Sequence, residues 1–246
     1  MWILDNSIQL KSKLAECNDT QYAEYISTWD FSTLYTTIPH NLLKTNIQEL
    51  INFAYKTNKK TFIAVSKYNT FWSNKQTKNH TCFTSSDLIS CIDYLIDNIY
   101  VTFGDTIHQQ VIGIPMGISC APLLANLFLM SYEYKFMEKL EKNNIHKARK
   151  FNYTFRYIDD LISINNKDFG TSLPNIYPDE LSIKKESTHE DRASYLDLCI
   201  EVQGKHFHTK MYDKRDSFNF DIVNYPFVKD SNIPENPAYG VYPPNS

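Results

Sequence analysis

Paired cysteines are missing from this chain. Its five cysteines (Cys17, Cys82, Cys91, Cys120 and Cys199) are odd in number, scattered and never spaced as Cys-x-x-Cys. That excludes a disulfide scaffold or a cysteine zinc site and points to reduced thiols in an intracellular protein, nuclear or cytoplasmic. Long apolar runs are missing too. The most apolar stretch, residues 120–130, is interrupted by Asn126. It falls short of the roughly 20 residues a spanning helix needs, so no membrane is expected. The start, Met1-Trp2-Ile3-Leu4-Asp5, lacks the basic-then-apolar order of a secretory signal. No internal repeat is present. Nor is there a basic excess: the formal net charge is -3, awkward for any chain that binds phosphate. Glycine is sparse, at 6 residues, against 17 tyrosines and 15 phenylalanines. Such a surplus of rings favours sheet-rich packing and supplies flat faces on which bases can stack.

What is present suits a soluble globular protein of 246 residues, 42% hydrophobic and 22% charged. That length supports one sizeable core, or one domain with a smaller appendage. Residues 25–35 read as a strand entering a turn, stopped by Pro39. Leu42, Leu43, Ile47, Leu50, Ile51 and Ala54 have the spacing of a helix with one buried face. Residues 61–72 suggest two short strands, and Ser85-Ser86-Asp87 caps a second amphipathic helix. Residues 100–103 and 106–112 flank Gly104-Asp105 as a hairpin. A longer helix is expected from about Ser119 to Lys142, with Pro122 tolerated in its first turn. Residues 151–164 form a further hairpin, 181–185 a short strand, and 194–202 a strand pairing with 206–212. This order mixes helices with antiparallel strands, an α+β pattern of one sheet backed by helices.

Three stretches carry candidate chemistry. Phe155-Arg156-Tyr157-Ile158-Asp159-Asp160-Leu161-Ile162 reads as strand, paired acids, strand. Carboxylates packed this closely repel unless a cation is supplied. Mg²⁺ suits such hard oxygen ligands, taking one or two carboxylates plus substrate phosphates. Thr28-Trp29-Asp30-Phe31 sets Asp30 and Thr28 on one strand face, Trp29 and Phe31 on the other. In Gln110-Val111-Ile112-Gly113-Ile114-Pro115-Met116-Gly117 the glycines bracket a loop stiffened by Pro115. It leads into a helix that starts with the small residues Ser119, Cys120 and Ala121. Backbone freed of side-chain bulk can approach a flat ligand, and a helix start favours anions.

Taken together and in this order, the three stretches resemble the polymerase motifs of reverse transcriptases. Leu34-Tyr35-Thr36-Thr37-Ile38-Pro39, Gly113-Ile114-Pro115-Met116-Gly117 and Tyr157-Ile158-Asp159-Asp160 look most like Penelope-like retroelements, relatives of telomerase. Ser194-Tyr195-Leu196-Asp197-Leu198 and Met211-Tyr212-Asp213-Lys214-Arg215 continue the resemblance, which covers most of residues 25–225.

The resemblance implies an RNA-directed DNA polymerase that transfers a nucleotide from dNTP to a DNA primer 3′-hydroxyl, guided by an RNA template. Two Mg²⁺ ions, or Mn²⁺, would be held by Asp30, Asp159, Asp160 and the Phe31 carbonyl. Tyr35 would stand against the sugar 2′ carbon and favour deoxynucleotides. Gln110, Pro115, Met116 and Gly117 would line the nucleotide site, with Met116 where many reverse transcriptases carry glutamine. Lys184 and Lys185 would lie near the leaving pyrophosphate, Lys214 and Arg215 near primer phosphates. His206 and His208 share a strand face but lack a third ligand nearby, so they are expected to hold no metal.

Only 29 residues precede Asp30, and the chain turns rich in proline and asparagine from Asn224. The expected organisation is a lead-in (1–24), a polymerase palm (25–223) and a tail toward a thumb (224–246). Fingers and thumb would be largely absent, which accounts for the acidic balance and predicts weak or no activity for the chain alone. Two other functions remain open on sequence: an RNA-directed RNA polymerase, and an inactive remnant serving as a binding module.

Overall fold

A computed structural model of the protein describes residues 2–20 and 22–212. The expected tail 224–246, the palm's end at 223 and the cations Lys214 and Arg215 lie outside those residues. Residues 1–210 form one compact unit.

The central element is a four-stranded antiparallel sheet. Its strands are β1 (Ile26–Phe31), β7 (Thr154–Tyr157), β8 (Asp160–Ile164) and β9 (Ile183–Lys185), in the order β7-β8-β1-β9. Side chains alternate across this sheet, and each face meets its own core. Trp29, Phe31, Leu161 and Ile183 pack on the helix side. That side is built by α3 (His40–Asn58), α4 (Ser85–Asp97), α5 (Ala121–Asn143) and α7 (Phe169–Ile176). Ile26, Phe155, Ile162 and Ile164 pack on the other side, against α1 (Ser7–Thr20) and a sheet of β10 (Arg192–Tyr195), β11 (Leu198–Gln203) and β12 (His206–Met211). The described residues also include the short helices α2 (Leu34–Thr37) and α6 (Ile145–Arg149).

Sheets outside the centre are small. β2 (Phe62–Val65), β3 (Thr70–Ser73) and β4 (Thr81–Phe83) form one, in the order β3-β2-β4. β5 (Tyr100–Phe103) and β6 (Thr106–Gln109) form a separate hairpin. The fold is thus α+β with antiparallel sheets backed by helices. The single sheet expected from sequence is four sheets among the described residues.

Two local departures have physical reasons. Residues 194–202 are not one strand, because Leu196 takes a left-handed φ of 54° and turns β10 back onto β11. No glycine or proline announces that turn. Helix α7 is unexpected because Gly170 and Pro174 both oppose helix. Gly170 is required there: a Cβ would lie 2.6 Å from the Trp29 ring. Among the described residues, no helix is long and apolar enough to cross a membrane.

Candidate active site

The site begins at the ends of β1 and β8. Their register sets Asp30 opposite Asp160, and on the other flank sets Asp30 opposite Lys184 of β9. Partners in adjacent strands project to the same face, so acid, acid and base form one row across three strands. The tight link between β7 and β8 is Ile158-Asp159, and the Asp159 carbonyl accepts a hydrogen bond from Phe31 N at 3.2 Å. All three aspartates are half-buried, while Phe31 is buried and opposite Ile183.

Electrostatics separate the three acids. Burial, and then the charge of Asp159, push the Asp30 carboxyl above its ordinary value; a hydrogen bond from Ser32 and the charge of Lys184 pull the other way. Tyr35 is raised by burial and again by Asp159, so its ring stands within reach of the same charge. Tyr195, whose hydroxyl donates to the Asp160 carbonyl oxygen at 2.9 Å, is pushed far up, first by burial and then by the charge of Asp160, with Asp159 adding to it. Among the described residues, no group of three or more His, Cys, Asp or Glu side chains is placed to hold a metal ion. Aspartate oxygens gathered at this end of the sheet, with the charge of Asp159 felt at Asp30, are of the kind a hard divalent cation takes, one or two carboxylates with phosphate and water completing its shell.

The proline-bearing loop is tied to the segment after β1. Gly113 donates to the Ile38 carbonyl at 2.8 Å, Ile114 to the Tyr35 carbonyl at 2.7 Å, and His40 Nε2 meets the Gly113 carbonyl at 2.7 Å. Gly113 has φ of 80°, and a Cβ there would sit 2.4 Å from the Tyr35 carbonyl oxygen. A Cβ on Gly117 would meet nothing. Only the first glycine is therefore demanded by the backbone. Pro115 is half-buried, while Met116 and Gly117 are exposed. The Gln110 amide donates to the Ile112 carbonyl at 2.9 Å and so braces the loop's approach. Lys184 and Lys185 are exposed, and Lys185 Nζ stands 5.9 Å from the Tyr25 ring centre. His206 and His208 are exposed on β12.

Beneath the Ile158-Asp159 turn lies a polar group that sequence reasoning did not single out. Arg156 is 0% exposed, and it pairs with the buried Glu133 of α5. Asn126 and Tyr177 complete the group. A signal existed: an arginine between Phe155 and Tyr157 on an apolar strand needs a buried acid, and Glu133 lies in an otherwise apolar helix stretch. An apolar cavity of about 770 Å³ is lined by Trp2, Ile47, Ile51, Leu127, Met137 and Phe151 among others, and it reaches Glu133; Asp30, Asp159 and Asp160 do not line it.

The chain shares its fold with telomerase. The Candida albicans enzyme, solved with a fragment of telomeric RNA, superposes with a TM-score of 0.61 at 13% identity, over 83% of this chain and 35% of that one. Telomerase from Candida tropicalis, without RNA and truncated of its C-terminal domain, gives 0.54 at 14% identity, over 85% and 41%. The same enzyme with telomeric RNA gives 0.54 at 16% identity, over 88% and 33%. At such identities the likeness is one of fold alone. The chain spans between 33% and 41% of the length of these three structures. No protein-family model and no curated protein matches the sequence.

Proposed function

We propose that this chain is the palm of an RNA-directed DNA polymerase from a retroelement of the Penelope-like type. The observation that carries this reading is that distant acids come to one end of the central sheet: the strand register sets Asp30 opposite Asp160, and Phe31 N donates to the Asp159 carbonyl at 3.2 Å, so that the charge of Asp159 is felt at both Asp30 and Tyr35. The telomerase-like fold supports an RNA partner, because two of the similar telomerases were solved with telomeric RNA.

In this reading Asp30, Asp159, Asp160 and the Phe31 carbonyl would hold Mg²⁺ (or Mn²⁺). When bound, a pair of such ions stabilises the attacking and leaving oxygens of an in-line phosphoryl transfer. The chain's own residues then position the substrates. Tyr35 closes the space at the sugar 2′ position and selects dNTP. The Gly113–Gly117 loop, fixed to Tyr35 by its backbone, presents Pro115 and Met116 to the nascent base pair, and Gln110 keeps the loop in place. Lys184, in the row with Asp30, offers positive charge for the departing pyrophosphate, whereas Lys185, opposite Trp29, projects to the other face of the sheet and is not brought to the acids. Lys214 and Arg215 would contact the DNA primer. The five free thiols suit a reducing compartment, nucleus or cytoplasm.

A second reading, a reverse-transcriptase-like module that binds nucleic acid without catalysis, draws on the chain spanning only 33% to 41% of the length of the similar telomerases. Primer extension on an RNA template separates the readings. It is best run with a polypeptide continuing beyond both ends of this sequence and with dNTP and NTP in parallel. dNTP incorporation abolished by Asp30→Asn and Asp159→Ala is expected. NTP preference would make the chain an RNA-directed RNA polymerase. Extension that survives Asp30→Asn would overturn the assignment of the site.

A further inference from the structure

Burying a guanidinium is costly unless every donor finds a partner. Arg156 meets that condition fully. Its Nε and Nη2 donate to the Glu133 carboxylate. Nη1 donates to Asn126 Oδ1 at 2.6 Å and to the Ile158 carbonyl at 2.8 Å, and Nη2 also reaches the Asn126 carbonyl at 3.3 Å. Tyr177, buried in the helix-side core, donates its hydroxyl to Glu133 Oε1 at 2.9 Å. The Arg156 backbone is pinned as well, its N donating to the Trp2 carbonyl at 2.6 Å and its carbonyl accepting from Leu4 N at 2.8 Å.

One of these bonds reaches the turn itself. The Ile158 carbonyl belongs to the peptide that joins Ile158 to Asp159. Ile158 has φ of 51°, a left-handed conformation that a β-branched residue adopts only when its surroundings impose it. Fixing that peptide plane fixes the direction in which the Asp159 side chain leaves the backbone. A planar fork can grip Glu133 on one edge and the Ile158 carbonyl on another; a lysine offers a single ammonium and cannot span both.

We propose that Arg156 is a positioning residue. It clamps the strained Ile158-Asp159 peptide so that Asp159 faces Asp30, while Glu133, Asn126 and Tyr177 hold Arg156 in place. This rests on the reading of Asp30 and Asp159 as a cation site. A purely structural ion pair would predict that cation affinity follows stability, and the two are separable. Replacing both members of a buried pair by apolar residues of similar size is often neutral for stability, yet it leaves the Ile158 carbonyl without its donor.

The test is Mn²⁺ affinity by electron paramagnetic resonance, with urea unfolding measured on the same samples. It compares the native chain with Glu133→Leu/Arg156→Met, Arg156→Lys and Asp159→Asn. The expected result for the double variant is near-native unfolding with Mn²⁺ affinity lowered about 10–100-fold, the range seen when the group supporting a ligand is lost. Arg156→Lys keeps a cation beside Glu133 and is expected to show the same loss. Native affinity in either variant would overturn the proposal. A native chain that binds no Mn²⁺, or one indifferent to Asp159→Asn, would instead overturn the cation site and the clamp together.

Discussion

Two hairpins in this protein share one turn design and solve it oppositely. In β5–β6 and in β7–β8, two residues link the strands, and the first of them has a left-handed φ: 57° at Gly104 and 51° at Ile158. Gly104 adopts that angle without steric cost, and all eight strand residues around it are exposed. Ile158 adopts it against its preference, and β7 beneath it is buried and tied to a charged network. The exposed hairpin needs glycine because nothing else would hold its turn. The buried one holds a disfavoured residue because its surroundings are stiff enough to do so, and that stiffness is spent on the turn that bears Asp159. Leu196, at φ of 54°, repeats the arrangement between β10 and β11, next to the tyrosine that bonds Asp160.

The contrast can be broken most forcefully at Arg156. Arg156→Ala leaves Glu133 charged and buried without its partner, and urea unfolding should show a loss of about 3–5 kcal/mol. Next in size is the effect of cation. Mg²⁺ at a hundred times its dissociation constant should add about 2.7 kcal/mol to unfolding stability, a gain that Asp159→Ala removes and that no β5–β6 substitution touches. Gly104→Ala should cost about 1–2 kcal/mol, the penalty for forcing a Cβ into left-handed backbone, with Mn²⁺ affinity unchanged. A smaller signature is a pH slope. Folding raises the Asp30 carboxyl above its ordinary 3.8, so its contribution favours the fold below that value and fades as pH rises through the folded value. Without divalent cations, acid titration monitored by unfolding should show this slope just above pH 3.8, and Asp30→Asn should flatten it. The smallest change is expected at Phe103→Ser, within about 0.5 kcal/mol, because that ring covers no core.

Much of the architecture was legible because its signals are local. Apolar spacing in Leu43, Ile47 and Ile51 marked α3, and Gly104-Asp105 marked the exposed hairpin. The stretches around Asp30, Gly113 and Asp159 stood out by their residue types and, taken together, by their resemblance to reverse transcriptase motifs. Register was not legible. Nothing in the spelling of β1 or β9 says that Lys184 stands opposite Asp30, since one slipped residue would turn it to the other face. Packing was equally hidden where it overrides preference. Gly170 and Pro174 argue against α7, yet Trp29 requires the space that Gly170 leaves. Leu196 turns without glycine because Tyr195 and Leu198 are held on either side by strand pairing. Arg156 was visible as an oddity in an apolar strand, but its partners lie on α5 and just past α7, far along the chain.

One contact constrains how this protein can change. The loop at Gly113 lies so close to the Tyr35 carbonyl that the two segments behave as a single mechanical part. A mutation that reshapes the loop must also shift the Tyr35 backbone, so in the polymerase reading proposed above, discrimination between sugars and tolerance of different base pairs should evolve in step.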